Sequence, residues 1–401
     1  MVSALDGIRV IELGHAISAP HCAQILADHG ADVIRIEPPG GDRTRGALPV
    51  EHGDSLYFAA HNRGKRSIVV DLKHPQGLDI ALALLSTADV LVTNYSAGVP
   101  DRLGIGYGVV SQRNPRLVFV HITGFGSHGA GREYGAYDGI IQAMSGVPSL
   151  TGQPGGPPMF TGAFVADHLA ATQAAVGALL GLARRGITGT GSFVDVSMLD
   201  GYLTTLAHHV GSALDAGEVP EANGNMVPTA FANTFPAADG LVYLAPLSPA
   251  AWQALCEVIG APQWLADAEP RWRIRDGRAE AERVVAEWTS GRKRREIIDQ
   301  LRAAGVPCGP VNNVAEAVTD PVHEGRDPVL RVLMPSGRQV HVPGPEVRLD
   351  DPEPAGQPTI PAPGEHTAQV LAELGYSQAE LAAMANSGVI CLGAATNSQG
   401  A

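Results

Sequence analysis

Short runs of apolar residues alternate with amphipathic segments through residues 7–123 of the chain. The apolar runs predict β-strands over Gly7–Leu13, Ala31–Glu37, Ser67–Leu72, Asp89–Asn94 and Leu117–Thr123. Between them, apolar residues at helical spacing predict helices over His21–His29 and Pro75–Ala88. Buried strands that alternate with helices are typical of a parallel sheet, because each connection must cross from one end of the sheet to the other. This pattern predicts the α/β fold class, with a doubly wound parallel layer.

The next part of the chain is dominated by a long apolar helix. Alanine, leucine and valine recur at helical spacing over Ala166–Arg185, and Gly186 directly after them is a typical helix end. The turn Thr188–Ser192 then leads into a predicted strand, Phe193–Ser197, and another helix is expected to begin near Asp200.

The pattern of predicted strands and helices changes near residue 223, which indicates a second, smaller domain. It contains one predicted strand and three predicted helices, over Leu241–Ala245, Trp252–Ile259, Gly277–Thr289 and Arg294–Ala304. A proline-rich extended stretch follows over Val329–Pro363, and a last helix is predicted over Thr367–Ala385. We therefore predict a large domain at 1–224, a small α+β domain at 225–325, a return to the large domain at 326–392, and a disordered tail at 393–401.

Composition and charge exclude several classes of protein. The chain has 401 residues, of which 45% are hydrophobic and 17% charged, which is typical of a globular protein and not of a disordered or coiled-coil chain. The net charge of −13 disfavours binding to nucleic acid or to an anionic membrane. No apolar run approaches the ~20 residues that span a bilayer, and no signal peptide is visible. We expect a cytoplasmic protein with no nucleic-acid or membrane partner.

The common sequence motifs for cofactors and metals are absent or weak. The four cysteines are dispersed without a C-x-x-C pair, so we expect neither a disulfide framework nor a metal site. Gly124–Gly129 matches G-x-G-x-x-G, but the following Ala130–Tyr137 is rich in glycine and has no helical period. Because a dinucleotide site needs a helix directly after this motif, a plain loop is favoured over NAD binding.

A lone carboxylate at the start of the long helix has two interpretations. Asp167 fits the N-cap, which is the common role of aspartate at such a position. A carboxylate near a helix N-terminus is also stabilised in its ionised form, so an ordinary pKa near ~4 would leave it available as a nucleophile at neutral pH. Tyr137 and Asp138 close a nearby loop and have the same two interpretations, a turn with another N-cap or a contribution to the same cleft.

Several segments together resemble one enzyme family. They lie between about residues 5 and 350 and read GIRVIELGHAISAPHCAQILADHGADVIRIEPPGGD, HNRGKRSIVVDLK, ADVLVTNYSAGVPDRLG, NPRLVFVHITGFG, AYDGIIQAMSG, ADHLAATQAAVGALLGL and TGTGSFVDVSMLDG. In this order they resemble the class III CoA-transferase family, the group of formyl-CoA transferase, carnitine CoA-transferase and α-methylacyl-CoA racemase. Jointly these segments are highly specific for that family.

The resemblance implies a fold and a reaction. Members have a discontinuous Rossmann-like large domain that binds coenzyme A, a small domain, and two chains interlocked as a homodimer. The catalytic aspartate of the family aligns with Asp167, which would attack an acyl-CoA thioester to form an aspartyl anhydride and then an aspartyl-CoA thioester. The implied partners are an acyl-CoA and an organic acid. Coenzyme A is then a substrate, and no permanently bound cofactor is expected.

The resemblance also implies site residues. The expected CoA contacts are Ala16, Val70, Asn94, Tyr95 and Arg102, and the expected substrate contacts are Ile17, Tyr137 and Asp138. The chain departs from the family at Pro38, where relatives have an arginine, so that Arg35, Arg43 or Lys65 would have to replace its contact. Ile17 stands in the place of a glutamine of formyl-CoA transferase, and residues 223–231 replace its glycine-rich flap. Both changes favour an acyl group larger and less polar than formate or oxalate.

Three functions remain to be compared. The first is CoA transfer between an acyl-CoA and a free carboxylate, either a dicarboxylate or a medium-sized organic acid. The second is racemisation of a 2-methylacyl-CoA, for which the family places a histidine base where this chain has Tyr137, a poor base at neutral pH because the pKa of tyrosine is about 10. The third is a silent acyl-CoA-binding protein, against which the presence of Asp167 argues. CoA transfer is favoured.

Overall fold

The computed structural model describes residues 3–267, 274–350 and 357–393 of the chain. The chain forms two compact units. The large unit comprises Met1–Val147, Phe160–Gly211 and Gly325–Ala401, and the small unit comprises Pro148–Met159 and Ser212–Glu324. The large unit is therefore discontinuous in sequence. The predicted disordered tail lies, apart from Gly393, outside the described residues.

Strands and helices alternate through the first part of the chain. Up to residue 150 the elements are β1 (Arg9–Leu13), α1 (Ser18–Asp28), β2 (Asp32–Glu37), β3 (Val50–Glu51), β4 (Asp54–Ser55), α2 (Leu56–Ala59), β5 (Arg66–Val70), α3 (Pro75–Thr87), β6 (Val90–Thr93), α4 (Val99–Arg102), α5 (Tyr107–Arg113), β7 (Val118–Thr123), α6 (Asp138–Ser145) and α7 (Val147–Leu150). Each strand predicted in this region is present, with bounds that differ by one or two residues at an end.

The remaining elements follow in three groups. From Val165 to Leu214 they are α8 (Val165–Thr188), β8 (Ser192–Ser197), α9 (Met198–Leu203) and α10 (His208–Leu214). Up to Val318 they are β9 (Asn233–Ala237), β10 (Gly240–Leu244), α11 (Pro249–Ile259), α12 (Gln263–Ala266), α13 (Ile274–Ser290), α14 (Arg294–Ala303), β11 (Cys308–Pro310) and α15 (Val314–Val318). The last are β12 (Val329–Leu333), β13 (Gln339–Pro343), α16 (Thr367–Glu373), α17 (Gln378–Asn386) and β14 (Ile390–Cys391).

One seven-stranded sheet organises the large unit. Its strand order is β14-β5-β2-β1-β6-β7-β8, and all neighbours are parallel except β14, which pairs antiparallel with β5 at the edge. The middle strand β1 pairs through Val10 with Val33 on one side and with Val90 on the other. The fold is thus mixed α/β with a predominantly parallel sheet, as the alternating pattern predicts.

Both faces of this sheet are covered by helices. Successive residues of a strand face opposite sides, and accordingly Val10 packs with residues of α1 and α8 while Ile11 packs with residues of α3 and α5. Because both faces are buried, every residue of β6 and all but the first of β1 are buried, and most of these residues are apolar. This explains why the strands are visible in the sequence as short continuous apolar runs.

Helix α8 packs on the sheet through small residues. Ala170, Ala174 and Ala178 are buried in the apolar cluster that also contains residues of α1 and β7. Within the described residues, α8 is the one helix long and apolar enough to cross a membrane, a test that a core helix of a soluble protein also passes. The alanine-rich face of α8 is buried in the core of the large unit.

Two helix predictions were wrong at their ends. The predicted stop of α8 at Gly186 is wrong, because the helix continues to Thr188 and ends at Gly189, whose φ of +75° is left-handed. The single helix predicted over Thr367–Ala385 is divided into α16 and α17. Gly375, with φ of +93°, ends the first of them, and a capping box of Ser377 and Glu380 begins the second.

The small unit has a core of its own. Its sheet has the order β11-β10-β9 with antiparallel pairs, and α11, α13 and α14 contribute buried side chains to it. Trp252 of α11 is among the largest buried side chains, and its indole N–H donates to the carbonyl of Leu265 at 3.1 Å. The helix predicted to begin at Gly277 begins at Ile274.

Candidate functional site

A cleft opens where neighbouring parallel strands of the large unit end. The loops after β1, β6 and β7 meet there with the first turn of α8, at the edge of the sheet where α/β proteins commonly bind ligands. The lining includes His15, Ala16, Ser18, Asn94, Ser96, Thr123, Gly124, Arg132, Tyr134, Tyr137 and Asp167.

The loop after β1 is held in place by the amide of Asn94. The amide oxygen accepts from the backbone N–H of His15 at 3.0 Å, and the amide nitrogen donates to the carbonyl of His15 at 2.8 Å and to the hydroxyl of Ser18 at 3.0 Å. Ala16, in the middle of this loop, has a left-handed φ of +60°, which is strained for a residue with a Cβ. Asn94 therefore fixes the backbone that lines one side of the cleft.

Asp167 is not the cap of its own helix. It is the third residue of α8, and the N-cap residue Phe164 supplies no side-chain hydrogen bond. Instead, the carboxylate of Asp138 accepts from the backbone N–H groups of Ala166 at 2.8 Å and of Asp167 at 3.2 Å. The interpretation of Asp167 as an N-cap is wrong because Asp138, from α6, satisfies these amides. The side chain of Asp167 is thereby available to the cleft.

The carboxyl group of Asp167 is harder to ionise than the sequence suggested. Burial raises the pKa of Asp167 to about 6, the negative charge of Asp138 adds to the rise, and His168 and the Ser18 hydroxyl oppose it. The expected pKa near ~4 is therefore wrong. Loss of hydration and a neighbouring carboxylate outweigh the helix N-terminus, whose effect on exposed charges is modest.

Two further residues of the site could not be found from the sequence. Ser18 donates its hydroxyl proton to Asp167, and Tyr57 has its pKa raised to about 12 by burial together with the charges of Asp167 and Asp42. Tyr57 is thus neutral beside the carboxylate over the whole physiological range. Ser18 lies inside the first of the family-like segments, where nothing marks it as a partner of Asp167, and Tyr57 lies outside all of them. More than 100 residues of sequence separate each of them from Asp167.

The cleft brings together some of the predicted site residues. Ala16, Asn94, Tyr137 and Asp167 line it, and Tyr137 has an exposed side chain. The other predicted contacts lie elsewhere in the large unit: Ile17 and Asp138 are buried, Val70 is inside β5, Tyr95 is half-buried behind the lining, and Arg102 is exposed at the end of α4.

The three basic residues that were considered as substitutes for the missing arginine differ in their surroundings. Arg35 is buried and bonded to Glu12 and Asp42, and Lys65 donates to Glu12 at 2.8 Å and to three other buried oxygens. Both therefore support the fold, because a buried cation must keep its partners. Arg43 is the exposed one of the three.

Comparison with protein families gives a match across most of the chain. The model of the family described as CoA-transferase family III matches residues 5–367. This range contains the whole cleft, including Asp167.

Individual proteins also match this chain over nearly its whole length. The chain is 34% identical over 385 residues to a succinyl-CoA:mesaconate CoA-transferase of Haloarcula hispanica, covering 93% of this chain and 97% of that protein. It is 34% identical over 423 residues to a formyl-CoA:oxalate CoA-transferase of Rhodopseudomonas palustris, covering 97% and 98% respectively. Among solved structures, a CAIB/BAIF family protein from Brucella suis superposes with a TM-score of 0.83 at 31% identity, covering 93% of this chain and 100% of that one.

Proposed function

The chain belongs to CoA-transferase family III, and from that premise we propose that it transfers coenzyme A from an acyl-CoA thioester to a free carboxylic acid with Asp167 as the nucleophile. One observation supports this most strongly. The carboxylate of Asp167 lines the cleft and is relieved of the capping role by Asp138, which binds the helix amides in its place. A carboxylate that lies in the first turn of a helix and does not cap it is available as a nucleophile.

The proposed reaction proceeds in four balanced steps. A carboxylate oxygen of Asp167 attacks the donor thioester, the C–S bond breaks, and an aspartyl anhydride and CoA thiolate form. The thiolate attacks the aspartyl carbonyl, which releases the donor acid and gives an aspartyl-CoA thioester. The acceptor carboxylate then displaces the thiolate to form a second anhydride. Attack of the thiolate on the acceptor acyl carbon yields the new thioester and regenerates Asp167.

The environment of Asp167 suits a carboxylate nucleophile, which must lose its bound water before it attacks. A carboxyl group with a pKa of about 6 is mostly ionised at pH 7 to 8. The same burial that raises its pKa leaves it poorly solvated, so that less water must be displaced before attack. Ser18 and the backbone fixed by Asn94 hold its position without neutralising it.

The proposed acceptor is a dicarboxylic acid. The relatives named above act on mesaconate and oxalate, both dicarboxylates. Arg132 lies in the lining of the cleft, where its guanidinium can pair with the carboxylate that does not react. Ile17 is fully buried and does not line the cleft, so position 17 offers no polar side chain to the acid.

We propose further that the enzyme is an interlocked homodimer. Val176, Leu179, Leu180 and Ile187 of α8 are exposed on the isolated chain, the last of them at 88%. A row of large apolar side chains on one helix face is typical of a surface that another protein covers. The interlocked arrangement itself is the expectation from the family resemblance.

The covalent intermediates give the direct test. The enzyme is incubated with succinyl-CoA and no acceptor, quenched with hydroxylamine or borohydride, and digested for mass spectrometry. We expect modification of one peptide within residues 163–182. Asp167→Asn, which is isosteric, should abolish the modification and lower turnover at least roughly 10³-fold, the scale on which a covalent nucleophile matters. Labelling that persists in Asp167→Asn would refute this residue as the nucleophile.

A second measurement separates CoA transfer from racemisation. With a 2-methylacyl-CoA in deuterated water, we expect no appreciable exchange at the α-carbon, because Tyr137 is a poor second base. Rapid deuterium incorporation without transfer would favour the racemase. Tight binding of acyl-CoA with neither labelling nor exchange would identify a silent binding protein.

A further inference from the structure

Three histidines from distant parts of the chain meet beside Asp167. His21 of α1, His61 after α2 and His168 of α8 have ring centroids 4.9 to 5.7 Å apart. His21 and His61 are buried, and His168 is half-buried. The proposed mechanism does not use any of the three. The described residues contain no group of histidine, cysteine and carboxylate side chains able to hold a metal ion, so a metal does not explain the cluster.

The hydrogen bonds of two of these rings fix their proton count. Nδ1 of His61 lies 2.9 Å from the carbonyl oxygen of Tyr57, and Nδ1 of His168 lies 2.8 Å from that of Phe164. A carbonyl oxygen can only accept, so both Nδ1 atoms carry hydrogen. The two Nε2 atoms face each other at 3.4 Å, and a hydrogen bond between them needs a third proton. Two neutral imidazoles carry two such protons in total, so the pair carries one more.

We propose that His61 and His168 form an imidazole–imidazolium pair, which places one positive charge next to Asp167. The positive charge is assigned to His168, because His168 is half-buried whereas His61 is buried, and burial disfavours the charged form. His61 is the neutral acceptor. Burial lowers the pKa of His61 to about 3, which agrees with this division of the proton.

The charged groups around the pair account for its positive charge. Glu346, after β13, accepts a hydrogen bond from Nε2 of His21, and this bond lowers the pKa of Glu346 so that it remains ionised. Asp167 lies beside His168 on α8, and Asp138 lies on α6. Lys65 acts on His61 as a like charge but is neutralised by Glu12, and Tyr57 is neutral. Glu346 and Asp167 therefore both interact with His168, whereas Asp138 acts on Asp167, and His21 opposes a charge on His61.

The consequence for catalysis rests on the proposed function. A cation beside Asp167 lowers its pKa and opposes both burial and Asp138. Without this charge, more of Asp167 would be protonated at neutral pH and unable to attack a thioester. His168 and His61 are therefore positioning residues that keep the proposed nucleophile ionised without touching the substrate.

Nuclear magnetic resonance of the full-length protein labelled with 15N-histidine tests the pair directly and needs no activity. The two ring nitrogens of an imidazolium resonate close together, whereas those of a neutral ring are far apart. At pH 7 we expect His168, identified by the signals missing in His168→Gln, to be an imidazolium. In His61→Leu, which leaves His168 in place but removes its acceptor, we expect a neutral ring. A neutral His168 in the unmodified protein, or no change in His61→Leu, would overturn the pair.

The pH dependence of kcat tests the effect on Asp167. In both His168→Gln and His61→Leu, the pH at which kcat falls on the acidic side of its profile (the acidic limb) should rise by about one unit. This is the size of effect that a close charge has on the pKa of a carboxyl group. His128→Gln, at a ring that is 83% exposed and lies beside Asp195 rather than Asp167, should leave the acidic limb unchanged. An unmoved limb in both cluster variants would overturn the catalytic role. If the unmodified enzyme transfers no CoA, the proposed function fails, and the resonance experiment still decides the pair.

Discussion

At the scale of single residues, the ionised carboxylate of Asp167 works against folding. Its pKa is about 6 in the folded chain and 3.8 ordinarily, so between these values the folded chain binds more protons than the unfolded one. Stability therefore falls as pH rises from about 4 to about 6 and stays lower above that range. A shift of this size corresponds to about 1–3 kcal/mol after allowance for partial solvation.

Asp167→Asn should accordingly stabilise the protein while abolishing turnover. At pH 8 we expect the free energy of unfolding to rise by about 1–3 kcal/mol, because the amide is neutral and can still accept from Ser18. Below pH 4 the difference should vanish. Urea unfolding followed by circular dichroism at both pH values measures this. A variant less stable than the parent at pH 8 would show that the carboxylate has a structural role after all.

The neighbouring carboxylate of Asp138 should act on the same pKa in the opposite direction from the histidine pair. Asp138→Asn keeps an oxygen for the amides of Ala166 and Asp167 but removes the charge. The pKa of Asp167 then falls, and the acidic limb of kcat should move to lower pH by about one unit. Asp138→Ala, which also loses the cap, should in addition cost about 1–2 kcal/mol of stability. A limb that stays in place in Asp138→Asn would argue against this coupling.

At the scale of elements, α8 joins the core of the large unit to the candidate site, and two of its glycines have different roles. A Cβ at Gly181 would lie 2.5 Å from Cγ1 of Val118 on β7, whereas a Cβ at Gly186 would meet nothing within 4 Å. Gly181 is therefore required for close packing of helix on sheet, and Gly186 is not.

The pair Gly181→Ala and Gly186→Ala separates packing from helix propensity. Both changes improve the propensity of the same helix by about 0.5–1 kcal/mol. Gly186→Ala should therefore raise the melting temperature, while Gly181→Ala should lower it, because the clash with Val118 costs about 1–3 kcal/mol. Thermal unfolding of the two variants side by side makes the comparison. Equal stabilisation by both would contradict the tight contact between α8 and β7.

At the scale of the whole molecule, the exposed apolar face of α8 makes the proposed dimer testable. Size-exclusion chromatography with light scattering should give about twice 41.7 kDa even at nanomolar concentration, since interlocked chains dissociate only by unfolding. Leu180→Arg puts a charge on a side chain that is 65% exposed in the single chain, so a dimer that buries this side chain should unfold at a lower temperature. A folded, active monomer of the parent protein would contradict the proposal.

Much of the fold was determined by the sequence alone. The runs that become β1, β2, β5, β6, β7 and β8 can be recognised because each contains at least three apolar residues within four to six positions, as expected of strands in a largely buried sheet. The family could also be recognised from segments that occur in a fixed order, and the match of the family model over residues 5–367 confirms it. The domain boundaries and the individual CoA contacts stay predictions. Two helices differ from their prediction at glycines: α8 passes Gly186 and ends at Gly189, and the left-handed Gly375 divides the last predicted helix. In the small unit the sequence predicted one strand, and the structure has three.

What only the tertiary structure decided is the electrostatic state of the site. The sequence identified Asp167 but assigned it an ordinary pKa and considered a capping role for it. Burial and the charge of Asp138 set the pKa, and Asp138, 29 residues away, takes the capping role. Likewise, His61 and His168 are separated by 107 residues, so no local sequence pattern predicts that their Nε2 atoms lie close together. Propensity and periodicity are properties of near neighbours in sequence, and they can be recognised there. A pKa and a proton count depend on burial and on charges from other segments, and these come together only when the chain folds.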